Sequence, residues 1–328
     1  MKRLLILLSL IWLIVTPALA QDPYRIHMIL WRGETQVEQG FRAYMDSRQI
    51  PVEITVHNIN RDRSLIPGIL EEIEAARPDL VYTWGTSIAL ATAGRQGEAD
   101  PARNITDIPV VSTMVSAPKA VGLVPETGIT GRNNTAVSHV PPVPTQVQAM
   151  KSYRPVRRIG VIFNPAEQNS LVNVESLRAA TAAEGIELIE APVPLNADGE
   201  ASADVIPDLI DALADAQVEF LYIGPDSFVG THSVEITERA IGHNIPSFTA
   251  TELEVRDASA MFGLVSRYEA VGALTGFQVE QVLVQGRDPG SLPMLTLDRF
   301  TFLIRRDVMQ RLKLYPPMQI LRYAVVIE

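Results

Sequence analysis

The sequence predicts an α/β protein of two similar lobes, each a parallel sheet with helices on both faces, joined by more than one crossing of the chain. Three observations predict it. First, Arg157–Val193 reads as one strand–helix–strand unit. Ile159–Phe163 is a continuous apolar run, as expected of a strand covered on both faces. Asn164-Pro165 breaks it, Leu171, Val174, Leu177, Ala180 and Ala183 then recur at helical spacing over Gln168–Glu184, and Gly185 precedes a second strand at Ile186–Ile189. Its crossover is expected to be right-handed. Second, the same alternation recurs on either side, the rhythm of a parallel sheet. Third, the 328 residues exceed what one core usually serves, and the last part of the chain holds too little for a third core.

Taken in order, residues 1–20 are not expected to join the fold. Lys2-Arg3, the apolar run Leu4–Val15 broken by Ser9, and Ala18-Leu19-Ala20 before Gln21 make a secretory signal peptide, cleaved after Ala20. The mature protein is then expected to be soluble and periplasmic. The first lobe opens with a strand at Tyr24–Leu30, a helix over Glu34–Ser47 and a strand at Val52–His57. A helix over Leu65–Ala76, a strand at Asp79–Thr83, a helix from Ile88 and a strand at Ile108–Thr113 follow.

A Pro/Gly-rich stretch, Ala117–Pro144, reads as the linker, centred near 128–136. After the unit already described come a helix at Ala203–Ala216, a strand at Phe220–Ile223, a helix at Phe228–Gly242 and a strand at Ser247–Ala250. The tail adds a strand at Ala260–Val265, a helix at Tyr268–Gln285 and strands within Thr296–Ile304, which must return to complete the two lobes. The expected division is 21–130 with 265–292 for the first lobe, and 131–264 with 293–328 for the second.

Composition narrows the function. There is no cysteine, so disulfides, thiol catalysis, zinc–thiolate sites and a lipid-modified N-terminal cysteine are excluded. The formal charge is −10, and losing Lys2 and Arg3 with the signal takes it to −12. Such a chain, without a basic run, repels a phosphate backbone, so nucleic acid is not an expected partner. There is no Gly-x-Ser-x-Gly elbow, no His-Glu-x-x-His and no phosphate loop. The five histidines lack ligand spacing, and Glu252 and Glu254 read as solvated charges. Neither an enzyme, nor a metal, nor a cofactor is expected.

In open α/β sheets ligands bind beyond the carboxyl ends of the strands, so the polar residues there are the candidates. Trp84-Gly85-Thr86-Ser87 closes the third strand and opens a helix, where hydroxyls and free N–H groups suit a carboxylate or serve as ordinary caps. Ser112 and Thr113 follow the fourth strand. After the first strand, Trp31 can stack on a ligand or pack on its own lobe, and Arg32 can pair with an anion. In the second lobe the matching loop carries Asn164, Glu167, Asn169 and Ser170. Asp226 and Ser227 end a further strand, where Asp226 can meet an ammonium group or cap the next helix. Tyr268 is a weaker candidate, equally explained by core packing.

These segments also carry a resemblance. DLVYTWGTS (Asp79–Ser87), DIPVVST (Asp107–Thr113), GITG (Gly128–Gly131), RIGVIFNPAEQNS (Arg158–Ser170), YIGPDS (Tyr222–Ser227) and GRDPGSLP (Gly286–Pro293), in that order, resemble the periplasmic substrate-binding components of ABC transporters. The branch is the one with members that bind tryptophan and other aromatic amino acids. The resemblance implies a type I periplasmic binding protein: two Rossmann-like lobes linked by three crossings, a small molecule captured between them, and an inner-membrane permease as partner. A membrane signalling receptor is the alternative partner, and a monomer is expected. It further implies that Gly85, Thr86, Ser87, Ser112 and Thr113 hold a carboxylate. Asn164, Asn169, Ser170 and Asp226 would close from the other lobe, with Asp226 taking an amino group. Two departures bear on ligand identity: Ala117-Pro118 where members have Asp-Pro, and Ile304-Arg305-Arg306 where the last strand usually ends in Asn.

Overall fold

The computed structural model describes residues 22–328, so the expected signal peptide lies outside the described residues. The chain runs β1 (Tyr24–Leu30), α1 (Gln36–Ser47), β2 (Val52–Asn58), α2 (Ile66–Ala76), β3 (Leu80–Trp84), α3 (Thr86–Ala93), β4 (Val110–Val115) and β5 (Asn134–Ser138). It continues through α4 (Val143–Tyr153), β6 (Arg158–Phe163), α5 (Gln168–Ala183), β7 (Glu187–Pro192), α6 (Ile206–Asp215), β8 (Phe220–Ile223), α7 (Ser227–Thr231), α8 (Ser233–Gly242) and β9 (Ser247–Thr249). The last part is α9 (Glu252–Arg256), β10 (Phe262–Val265), α10 (Tyr268–Leu283), β11 (Leu295–Thr296), β12 (Thr301–Arg305), α11 (Arg306–Arg311), α12 (Met318–Leu321) and β13 (Val325–Ile327).

Two sheets result. The six-stranded sheet has the order β11-β5-β4-β3-β1-β2 and every pairing in it is parallel. The seven-stranded sheet has the order β13-β12-β10-β9-β8-β6-β7, parallel except for β10 against β12. This is the type I architecture that the resemblance implies, with three crossings: β5 to α4, β10 to α10, and β11 to β12.

The expected division of the lobes needs correction in two places. β5 pairs with β4 and β11 pairs with β5, so residues 134–138 and 295–296 complete the first sheet and not the second. The supposed linker near 128–136 therefore contains a strand. These short segments gain their backbone partners from neighbours far away in sequence, such as β5 from β11, and carry no apolar run long enough to announce them.

Sheet order fixes where a ligand can sit. In the first sheet β1 is flanked by β2 on one side and β3 on the other, and in the second β6 is flanked by β7 and β8. Successive connections leave in opposite directions at those points and open a crevice at the carboxyl ends of β1/β3 and β6/β8. The walls around each crevice are packed tightly. Beneath the first, α1 is fixed by a capping box in which Thr35 Oγ1 accepts from Val37 N at 3.2 Å and Glu38 Oε2 accepts from Thr35 N at 2.7 Å. Glu38 also accepts from the Tyr82 hydroxyl at 2.7 Å, and its burial raises its pKa. Beneath the second, Phe220, Tyr222, Phe248 and Phe262 form a fully buried aromatic core, with Phe220 edge-on to Phe262 at 5.5 Å.

Candidate functional site

The two crevices share one cavity, lined by both lobes and partly open to solvent. A wider groove, walled by Ile66, Leu70, Leu90 and Ile105, leads outward from it and shares Thr86, Ser87 and Asn169.

The first lobe contributes Trp31 and Arg32 beyond β1, Trp84 at the end of β3, and Gly85, Thr86, Ser87 and Ile88 at the start of α3. Gly85 has φ +89° with nothing near a would-be Cβ, so the torsion itself calls for glycine. Its N–H donates to Thr113 O at 2.9 Å, which ties the turn to β4. No side chain caps α3, so its first-turn N–H groups face the cavity. Thr86 Oγ1 accepts from Ser116 N at 3.2 Å, which leaves its own proton to donate. Arg32 sits 5.2 Å over the Trp84 ring and forms no ion pair among the described residues. β4 has a register irregularity between Ser112 and Val115, and Met114 within it takes φ +56°. Such bulges re-aim side chains next to functional sites; here Met114 lines the cavity.

Ser112 and Thr113 are a different case. Both are fully buried; Ser112 Oγ accepts from Thr83 Oγ1 at 2.9 Å, and Thr113 Oγ1 lies 2.8 Å from Thr275 Oγ1. They brace the sheet against α10 and are not among the residues lining the cavity.

In the second lobe Asn169, Asp226 and Ser227 line the cavity, whereas Asn164, Glu167 and Ser170 stand behind it. Asp226 Oδ1 accepts from Val229 N at 2.9 Å, and its Oδ2 accepts from Asn164 N at 2.7 Å and Ser170 Oγ at 2.6 Å. Burial, with the Glu167 carboxylate second, pushes Asp226 up to about 6. Glu167 accepts from Ser227 N at 3.0 Å and Phe228 N at 3.2 Å, so two carboxylates already occupy the N–H groups opening α7. Asn169 Nδ2 donates to Pro225 O at 2.7 Å and pins the two loops together. Arg63, from the first lobe, reaches across to Glu167 Oε1 at 3.8 Å and lies 5.4 Å over the Trp31 ring.

Sequence reasoning missed several lining residues: Met114, Ser116, His139, Pro225, Gly230, Thr251 and Glu254. Glu252 and Glu254, expected as solvated charges, are 2% and 7% exposed. Glu254 Oε2 accepts from Thr251 Oγ1 and, at 3.3 Å, from Thr249 Oγ1. His139 is 4% exposed, and burial, aided by the Arg32 charge, lowers it to about 3, so the ring is neutral. It meets the Tyr268 ring edge-on at 6.5 Å, and Tyr268 too lines the cavity. Among the described residues no group of three or more acidic or histidine side chains could hold a metal ion, and no helix is long and apolar enough to cross a membrane.

The arrangement presents hydrogen-bonding groups and aromatic faces from both lobes to one space. Residues 39–327 match the family described as ABC transporter substrate binding protein. A "Tyrosine-binding protein" of Clostridioides difficile (strain R20291) is 26% identical over 274 residues, 83% of this chain and 73% of the relative. Among solved structures, a conserved domain protein from Vibrio cholerae has a TM-score of 0.80 at 22% identity, covering 94% of this chain and all of that one. An ABC domain in complex with L-Trp from Streptococcus pneumoniae has a TM-score of 0.77 at 22% identity, covering 92% of this chain and all of the other.

Proposed function

Because this chain belongs to the ABC transporter substrate-binding protein family, we propose that it captures an amino acid, foremost an aromatic one, between its lobes and delivers it to a membrane permease. One observation carries the reading: a single cavity draws its lining from the switch points of both sheets. Contacts to both lobes exist only when the lobes are closed, so a ligand that makes them shifts the population toward closure. The closed shape is what a permease can recognise. Trp31, Trp84 and Tyr268 supply faces for a ring, in keeping with the names of the tyrosine-binding relative and the L-Trp complex.

In this reading Trp31, Trp84, Gly85, Thr86, Ser87, Asn169, Asp226 and Ser227 border the ligand. Ser112, Thr113, Asn164, Glu167 and Ser170 hold the bordering loops in place. The protein works as a periplasmic monomer after cleavage behind Ala20.

Titration of the purified protein with the natural amino acids, followed by calorimetry and by the fluorescence of Trp31 and Trp84, tests this. Saturable binding of at least one aromatic amino acid is expected, with a change in tryptophan emission. Thr86→Val should weaken that binding by about tenfold, the worth of one hydrogen bond in a dry site, and cost the empty protein no more than about 2 kcal/mol. A variant that binds as tightly as the parent would remove Thr86 from the site.

A further inference from the structure

The rims of the cavity carry opposite charge. On the first lobe stand the uncapped start of α3 and Arg32, a cation without a carboxylate partner among the described residues. On the second lobe the N–H groups of the corresponding loop are already taken by Glu167 and Asp226, so that rim offers oxygens rather than amides. Glu254 belongs to this negative side and lines the cavity. One of its oxygens is held by Thr251 and Thr249, while Oε1, beside Gly230, has no donor among the described residues. No Lys, Arg or His lies in ion-pair range of it there, although it is only 7% exposed. A buried carboxylate without a counter-ion is costly, and so is a half-buried guanidinium without one.

We propose that Glu254 and Arg32 act as a pair that fixes the ligand class: a free α-amino acid, its ammonium group on Glu254 and its carboxylate on Arg32 and the first turn of α3. The proposal rests on the solute-binding reading above and assigns its polar ends. It places the amino group on Glu254 and not on Asp226, because both Asp226 oxygens already accept from protein donors. It also gives closure a physical cause. Bringing the lobes together buries two charges of opposite sign that line one cavity and form no ion pair with each other, and a zwitterion of the right length neutralises both. A neutral solute leaves them unmatched.

The test compares three probes on the whole mature protein: L-tryptophan, its analogue lacking the amino group (3-indolepropionate) and its carboxamide, with the tyrosine series alongside. The parent should prefer the amino acid over either analogue by at least about 100-fold, because each analogue strands one buried charge. Glu254→Gln should erase the preference over the analogue lacking the amino group while keeping that over the amide, and Arg32→Gln should do the reverse. A purely structural role would weaken all probes together. Binding of the analogue lacking the amino group within about threefold of the amino acid by the parent overturns the pairing and leaves the solute-binding reading standing. Failure of the parent to bind any of the natural amino acids overturns both. The parent's own preference needs no variant to fold.

Discussion

Gly272→Ala is expected to cost about 3 kcal/mol or more, the upper end of what overpacking does to a core. A Cβ there would lie 1.9 Å from Val37 O and 2.8 Å from Phe41 N, both backbone atoms of α1 that cannot swing aside. The contact is reciprocal, since a Cβ on Gly40 of α1 would lie 2.1 Å from Glu269 O of α10. The two helices thus meet backbone to backbone, beside the contacts by which α10 also packs on the first sheet. Alanine's better helix propensity, worth about 1 kcal/mol, cannot offset such a clash. Gly68→Ala in α2, where nothing lies within 4 Å, should gain roughly that amount and serves as the control. Urea unfolding of both variants checks the pair; a Gly272→Ala protein as stable as the parent would refute the close approach.

Glu252→Ala should cost about 3 kcal/mol, the range for breaking a buried charge cluster. Glu252 sits in α9 of the second lobe and accepts from Tyr268 N, the first residue of α10, at 2.6 Å. Arg256 Nε donates to it at 2.6 Å. Arg267 Nε is equally close to the same oxygen, at an angle that makes it a charge contact and not a hydrogen bond. One carboxylate therefore anchors the second crossing to the second lobe. Its loss leaves a helix-start N–H and two guanidinium groups without a partner, and should weaken ligand binding along with stability. Denaturant titration with and without ligand reads both; unchanged values in both would show that the crossing is held elsewhere.

The sequence made the strand ends legible because an apolar run stopped by Gly, Asn-Pro or Gly-Pro-Asp is a local signal. Trp84, Gly85, Thr86 and Ser87 were found that way, and they line the cavity. What Asp226 does at its strand end was not legible. Its partner Asn164 is 62 residues away, and only the folded register of β6 beside β8 shows that the carboxylate holds two loops together. Glu254 was hidden for another reason: α9 has five residues, too few for a periodic pattern, and the segment TELEVRD reads as surface until the chain around it is folded. Arg63 reaching Glu167 likewise joins residues that no spacing rule connects. Pattern reading recovers what neighbours along the chain decide, and misses what neighbours across it decide.

The way the strands are dealt between the sheets has a consequence in time. β1 to β5 lie within residues 24–138 and β6 to β10 within residues 158–265, whereas α10, which packs on α1, comes at residues 268–283 and the last strands of the two sheets at 295–296 and 325–327. Closing the long loop that brings α10 onto α1 is slower than assembling the segments nested inside it. Refolding should therefore assemble the two nested sets of strands first and dock α10 afterwards. Pulsed proteolysis is expected to find Arg158–Val265 protected before Tyr268–Leu283, and the opposite sequence of events would contradict the nesting.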